Sequence, residues 1–159
     1  MTIRLLHQRF IRNSWTLALA ESCTGGGLAS SFVAIPDCSL YFRGGVVAYS
    51  NEIKEQILGV KPTTLVQSGE VSEQTALEMA FGILNLFKVN IALSTTGIAG
   101  PSGEETNKPV GTVCFAIVSE GDPPLLWTAY FEGSRRLIIQ QAIQDALKKL
   151  DDYTRPLNK

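Results

Sequence analysis

Histidine occurs once among the 159 residues, at position 7, and that scarcity removes two common chemistries at the outset. A Ser-His-Asp arrangement would have to take its base from His7, which lies in an amphipathic N-terminal stretch. No cluster of His, Cys and carboxylates has metal-ligand spacing, so neither a metal nor any other cofactor is expected. Long apolar runs are also missing: none approaches the roughly 18 residues of a membrane helix. Charge of either sign is not in excess, with Lys+Arg 14 against Asp+Glu 15, so no basic footprint points to nucleic acid or an anionic membrane. Cysteine is sparse and odd in number. Cys23, Cys38 and Cys114 lie in or beside apolar runs, which fits reduced thiols in a cytoplasmic protein better than a disulfide framework. No acid precedes Glu21, and with Arg4, Arg9 and Arg12 the first stretch also resembles an Arg-rich transit peptide. The first strand follows directly after Asn13-Ser14, however, with no room for a discarded segment, and Ile3, Leu6, Phe10 and Ile11 fall at helical spacing.

What is present reads as one domain over 1–159, with 45% hydrophobic and 18% charged residues. The chain is organised around residues 17–27. The apolar run Leu17 to Ala20 ends in Glu21-Ser22-Cys23-Thr24, and Gly25, Gly26 and Gly27 lead into a helix through Val33. Strand, tight turn and helix leave the first helical N–H groups without intrahelical partners, a setting that suits an anion or a developing oxyanion. The turn also holds a hydroxyl, a thiol and a second hydroxyl in succession.

The remaining elements alternate. A strand is predicted from Phe42 to Tyr49, its paired Gly44 and Gly45 allowing a bulge. Ser50 or Asn51 caps a helix closed by Gly59, with Lys54 in its first turn. Residues 61–71 read as a loop, and Ser72 caps a longer helix through Phe87. Ile91 to Thr96 is a buried strand entering Gly97-Ile98-Ala99-Gly100-Pro101, a second candidate wall of the site. A polar, lid-like loop from Ser102 to Lys108 follows. Strands near 110–118 and 125–131 are joined by Gly121-Asp122-Pro123-Pro124, and Ser134 caps a last helix before a polar tail from about 151. This order predicts an α/β fold, a three-layer sandwich with a mixed, mainly parallel sheet and an antiparallel edge. Ligands collect at the carboxyl ends of strands in such sheets, where Ser22, Tyr49 and Thr96 fall.

Four motifs in this order carry a family resemblance: Glu21-Ser22-Cys23-Thr24-Gly25-Gly26; Gly45-Val46-Val47-Ala48-Tyr49-Ser50-Asn51 with Lys54; Gly97-Ile98-Ala99-Gly100-Pro101; and Lys108-Pro109-Val110-Gly111-Thr112-Val113. Together they resemble the CinA C-terminal domain family over nearly the whole chain. The resemblance implies a nicotinamide-nucleotide amidohydrolase in stand-alone form, converting nicotinamide mononucleotide and water to nicotinic acid mononucleotide and ammonia in pyridine-nucleotide salvage. It also implies a homodimer.

The residues agree with that chemistry. Amide hydrolysis needs a nucleophile, a base and donors for an oxyanion. Ser22 supplies the nucleophile, with Cys23 as the runner-up. Lys54 is the preferred base, since burial and a helix's first turn both disfavour its charge. Tyr49 relays the proton or holds the lysine. Thr24, Gly25 and Gly26 offer amides to the oxyanion or a phosphate, and Thr96, Gly97, Ala99 and Gly100 form the second wall. Glu21 orients Lys54 or Arg135, or caps nearby N–H groups, and has no assigned catalytic role. Arg135 is placed to clasp phosphate. The match weakens at the last helix, where Ile139 stands at the position of a second family arginine and Arg136 is the available substitute; the 102–107 loop also departs from the family's more glycine-rich one. The alternative is a nucleotide-binding or interaction module of the same fold that has lost turnover.

Overall fold

The computed structural model describes residues 2–105 and 107–157. Helix α1 (Thr2–Asn13) precedes strand β1 (Leu17–Glu21), and the chain continues through α2 (Gly27–Val33), β2 (Phe42–Val47), α3 (Asn51–Leu58), α4 (Pro62–Ser68), α5 (Glu73–Phe87), β3 (Ile91–Gly97), β4 (Thr112–Ser119), β5 (Asp122–Tyr130) and α6 (Arg135–Thr154). The serine caps are where the sequence places them. Ser50, Ser72 and Ser134 each accept a hydrogen bond from a backbone N–H of the first turn, those of Ile53, Thr75 and Leu137.

The strands lie in the order β2-β1-β3-β4-β5, with β1 parallel to both β2 and β3 and the last two strands antiparallel. Side-chain size differs between the two faces. Leu17, Leu19, Leu93, Phe115 and Ile117 pack under α1, α2 and α6, whereas Ala18, Ala20, Ala92 and Ala116 pack under α5. Both faces are covered, which gives the expected three layers. The bulge expected at the paired glycines is present: Leu17 pairs with Phe42 and Ala18 with Gly44, so Arg43 is passed over. A Cβ on Gly45 would stand 2.8 Å from the Leu19 carbonyl oxygen, so only glycine lets β2 approach β1 this closely.

Three expectations are corrected. The 61–71 loop contains α4, which Pro62 starts in the position where a missing N–H costs nothing. Strand β5 begins at Asp122 and takes in Pro123 and Pro124, tolerated because it is an edge strand. The polar tail from 151 is helical through Thr154, and its first residue is buried. Asp151 meets Arg9 of α1 at 2.8 Å, and the Arg9 guanidinium also donates to the Asp151 carbonyl (2.9 Å) and the Thr154 hydroxyl (2.8 Å). The three polar residues meet at the junction of the first and last helices, where Arg9 joins α1 to the end of α6.

Burial alone would raise the Asp151 carboxyl, but hydrogen bonds from Arg155 and Arg9 outweigh it and hold the group below its ordinary 3.8. A depressed folded-state value means that the stabilisation is complete above 3.8 and is lost as pH falls through the lower folded-state value. Asp151→Ala leaves the buried Arg9 charge unpaired and is expected to cost about 3 kcal/mol in denaturant unfolding. Asp151→Asn is expected to flatten the acid limb of stability against pH. Unchanged stability in both variants would show that the Arg9 charge does not depend on Asp151.

Candidate active site

The crossover from β1 to β2 runs through α2 on one face of the sheet, and the return to β3 runs through α5 on the other. The carboxyl end of β1 is where they part, flanked by the ends of β2 and β3. The backbone is tied on both sides there, by Ala48 N–H donating to the Glu21 carbonyl (2.8 Å) and Ser22 N–H donating to the Thr95 carbonyl (2.9 Å).

Glu21 turns inward, 2% exposed, beneath the first turn of α2. Its Oε2 accepts from the Thr24 hydroxyl (2.6 Å) and from the amides of Gly26 and Leu28 (both 3.1 Å), and its Oε1 accepts from the amide of Ala29 (2.8 Å). Thr24 Oγ1 also lies 2.8 Å from Thr95 Oγ1. Glu21 therefore caps, one of the roles considered for it, and makes no hydrogen bond to Lys54 or Arg135. This revises the expected roles of the turn. The Gly26 amide is held by Glu21, and the Gly25 amide donates to the Ser22 carbonyl at 3.1 Å. Thr24 is buried within this network. Among the described residues, the amide of Thr24 makes no hydrogen bond, and that of Cys23 meets its own thiol.

Ser22 faces α3. Lys54 Nζ donates to Ser22 Oγ at 3.0 Å and to the Tyr49 carbonyl at 3.1 Å, and the lysine is 1% exposed. Burial pushes its pKa below the ordinary 10.5, partly opposed by the charge of Glu70. Tyr49 holds the lysine through its backbone; its phenol lies elsewhere. Arg135 donates from Nη2 to the Tyr49 hydroxyl (3.0 Å) and from Nη1 to the Gly100 carbonyl (2.7 Å). Cys23 turns into the core, and burial pushes its thiol up to about 12.

A cavity of about 110 Å³ opens over these groups, lined by Ser22, Cys23, Tyr49, Lys54, Glu70, Val71, Thr96 and Gly97. Thr96 is fixed by its hydroxyl, which donates to the Glu70 carbonyl at 2.7 Å. Ala99 packs into the core, so it supports the second wall without lining the cavity. Glu70 was not anticipated, because its segment carried no signal beyond lying before the Ser72 cap. A larger groove of about 700 Å³ runs between α3 and α5, but its lining holds no serine, cysteine or histidine. Among the described residues no group of three or more His, Cys, Asp or Glu side chains converges as a metal site, and no helix is long and apolar enough to cross a membrane.

The family model of the CinA C-terminal domain matches residues 2–154. The chain belongs to the CinA C-terminal domain family. A nicotinamide-nucleotide amidohydrolase PncC from Shigella flexneri is 44% identical over 135 residues, covering 85% of this chain and 82% of that protein. A CinA-like protein of Fervidobacterium nodosum is 49% identical over 115 residues, of which the matched part is 28% of its length. The other CinA-like relatives are similarly long; against that of Thermotoga neapolitana the match spans 35% of the relative. Among solved structures, the competence damage-inducible protein A (ComA) of Klebsiella pneumoniae superposes with a TM-score of 0.91 at 36% identity, covering 95% of this chain and 93% of that one.

In this CinA domain the position expected to hold a second arginine serves packing: Ile139 lies against the core under α6. Arg136 is exposed on the same helix. Arg135 is the residue of this helix start that bonds to Tyr49, one of the cavity's lining residues.

Two substitutions separate support of the turn from chemistry. Glu21→Ala strips the acceptor from four donors and is expected to lower unfolding free energy by about 2–3 kcal/mol. Lys54→Met keeps the volume and removes a group whose charge the site disfavours. Its depressed pKa means that the parent gains stability as pH rises from the folded-state value toward 10.5, so at neutral pH the methionine variant is expected to melt at or above the parent temperature. A fall of several degrees would show that the lysine stabilises the fold as a cation.

Proposed function

We propose that the chain is an amidohydrolase that deamidates nicotinamide mononucleotide to nicotinic acid mononucleotide and ammonia, in pyridine-nucleotide salvage, with Ser22 as nucleophile and Lys54 as its base. The observation that carries this reading is the 3.0 Å contact between Ser22 Oγ and the buried Lys54 Nζ, at the carboxyl end of β1. The amidohydrolase from Shigella flexneri, which the chain matches over most of both lengths, supports the substrate.

In the first step, neutral Lys54 accepts the Ser22 hydroxyl proton as Oγ attacks the carboxamide carbon, giving a tetrahedral oxyanion. The Thr24 amide, which has no acceptor among the described residues, is the donor left for that charge. The lysine then passes its proton to the amide nitrogen, the C–N bond breaks and ammonia leaves an acyl ester on Ser22. Water attacks this ester, Lys54 accepts its proton and returns it to Oγ, and the carboxylic acid departs. The small cavity admits the carboxamide end of the ligand. The rest extends past Tyr49 toward Arg135, whose guanidinium binds the phosphate by exchanging its bonds to Tyr49 and Gly100 for charged oxygens.

The same reading places the protein in the cytoplasm, supported by three unpaired cysteines, and as a homodimer, supported by exposed Val33, Leu40 and Val47 on and beside edge strand β2.

Ammonia release from nicotinamide mononucleotide tests the chemistry. Ser22→Ala and Lys54→Met are each expected to lower kcat by on the order of a thousandfold or more, and Cys23→Ala by less than about threefold. The rate is expected to rise with pH as Lys54 deprotonates, with an apparent pKa below 10.5. Loss of activity in Cys23→Ala with retention in Ser22→Ala would transfer the role to the thiol. Binding without ammonia release by the parent would establish the binding module instead.

A further inference from the structure

The cavity lining contains one carboxylate besides the groups used above, that of Glu70. Its backbone is held firmly. The Glu70 carbonyl accepts from Thr96, the preceding Gly69 carbonyl accepts from the hydroxyls of Ser72 (3.1 Å) and Thr75 (2.7 Å), and Val71 behind it is buried. The carboxylate, by contrast, is solvent-exposed, and among the described residues it has neither a hydrogen-bond partner nor an ion-pair partner within 4.0 Å. Structural carboxylates of this protein behave differently: Glu21, Glu78 and Asp151 all have several partners. A free carboxylate on a fixed backbone at a cavity wall is available for a ligand.

On the reading above, the small cavity takes the carboxamide, so the ring comes to rest at the mouth. In a nicotinamide nucleotide that ring is N-glycosylated and carries a full positive charge. We propose that Glu70 is a specificity-determining residue that recognises this cationic pyridinium ring and favours it over neutral aromatic amides. The exposed ring of Tyr49, on the same lining, offers a second surface for a cation. Arg135 and Glu70 then divide the ligand between them, the phosphate to one and the ring to the other.

The test compares nicotinamide mononucleotide with its 1,4-dihydro form, which has the same phosphate and carboxamide but a neutral ring. Affinities are measured by calorimetry in Ser22→Ala, with and without Glu70→Gln, and steady-state ammonia release is followed in the serine-containing proteins. Glu70→Gln is expected to weaken binding of the cationic nucleotide about tenfold, a change of about 1.4 kcal/mol, and to leave the dihydro form within about twofold. Glu70→Asp is expected to recover most of the preference. Because Glu70 also acts on Lys54, a change in kcat alone proves nothing; the ratio of the two affinities at one pH is the readout, and any effect through Lys54 is common to both ligands. An unmoved ratio, with the parent still hydrolysing the nucleotide, overturns the role of Glu70 alone. A parent that neither binds nor hydrolyses it overturns the proposed function and this inference together.

Discussion

The site depends on one buried carboxylate. Glu21 ends the central strand and could not stay inside the protein without several donors, since an uncompensated buried charge is among the most costly features a fold can carry. The donors come from the glycine turn itself and from the first turn of α2. The turn must therefore curl back over the strand end, with Gly25 and Gly26 at positive φ (57° and 94°), and this leaves Ser22 at the apex beside α3. The same arrangement uses up the amides that would otherwise receive an external anion. On the proposed function, the phosphate is then read by a side chain further out, that of Arg135.

Packing on the other face prepares the partner of Ser22. The alanines of β1, β3 and β4 keep that face shallow and let α5 sit low, and α3 packs beside α5 through Leu58, with Lys54 one turn earlier on the same buried stripe. A lysine at a position that an aliphatic residue would normally take is stripped of water along its length. Its lowered pKa follows from where the amphipathic pattern of α3 puts it, with the Tyr49 carbonyl satisfying the amine from one side and Ser22 from the other. Fold and chemistry are connected at this residue.

Much of this is visible from residue order because it is local. Serine caps, glycine stops and the change from apolar run to glycine turn each act within a few residues, and they locate β1, α3, α5 and α6 and bring Ser22 and Lys54 to the same end of the sheet. What escapes is long-range. Asp151 and Thr154 read as a polar tail because the guanidinium that makes them a buried network belongs to Arg9, on the first helix. Glu21 has the same local signature whether it meets a ligand, a lysine or a helix start, and only the curl of the chain decides. Residue order offers Tyr49 as a proton relay or a holder of Lys54, but which of its two oxygens meets the lysine depends on Arg135, brought in from α6. Glu70 lies in the connection between α4 and α5, and its place on the cavity wall depends on Thr96 of β3 gripping its carbonyl.

Ser22 and Cys23 are adjacent in one turn, and the thiol is intrinsically the stronger nucleophile, yet the fold selects against it. Cys23 points into the apolar layer beneath α1, α2 and α6, where forming a thiolate is disfavoured enough to move its pKa to about 12. The Ser22 hydroxyl instead meets the Lys54 amine directly, and burial lowers that amine's pKa. On the proposed mechanism, a hydroxyl beside the amine keeps no ion pair in the resting state; the alkoxide forms only as the proton moves, when the developing oxyanion is there to accompany the ammonium. A cysteine facing the same lysine would pass its proton over readily and rest as a buried thiolate and ammonium. The site then uses the weaker nucleophile because its surroundings are suited to a pair that holds no buried anion until it reacts.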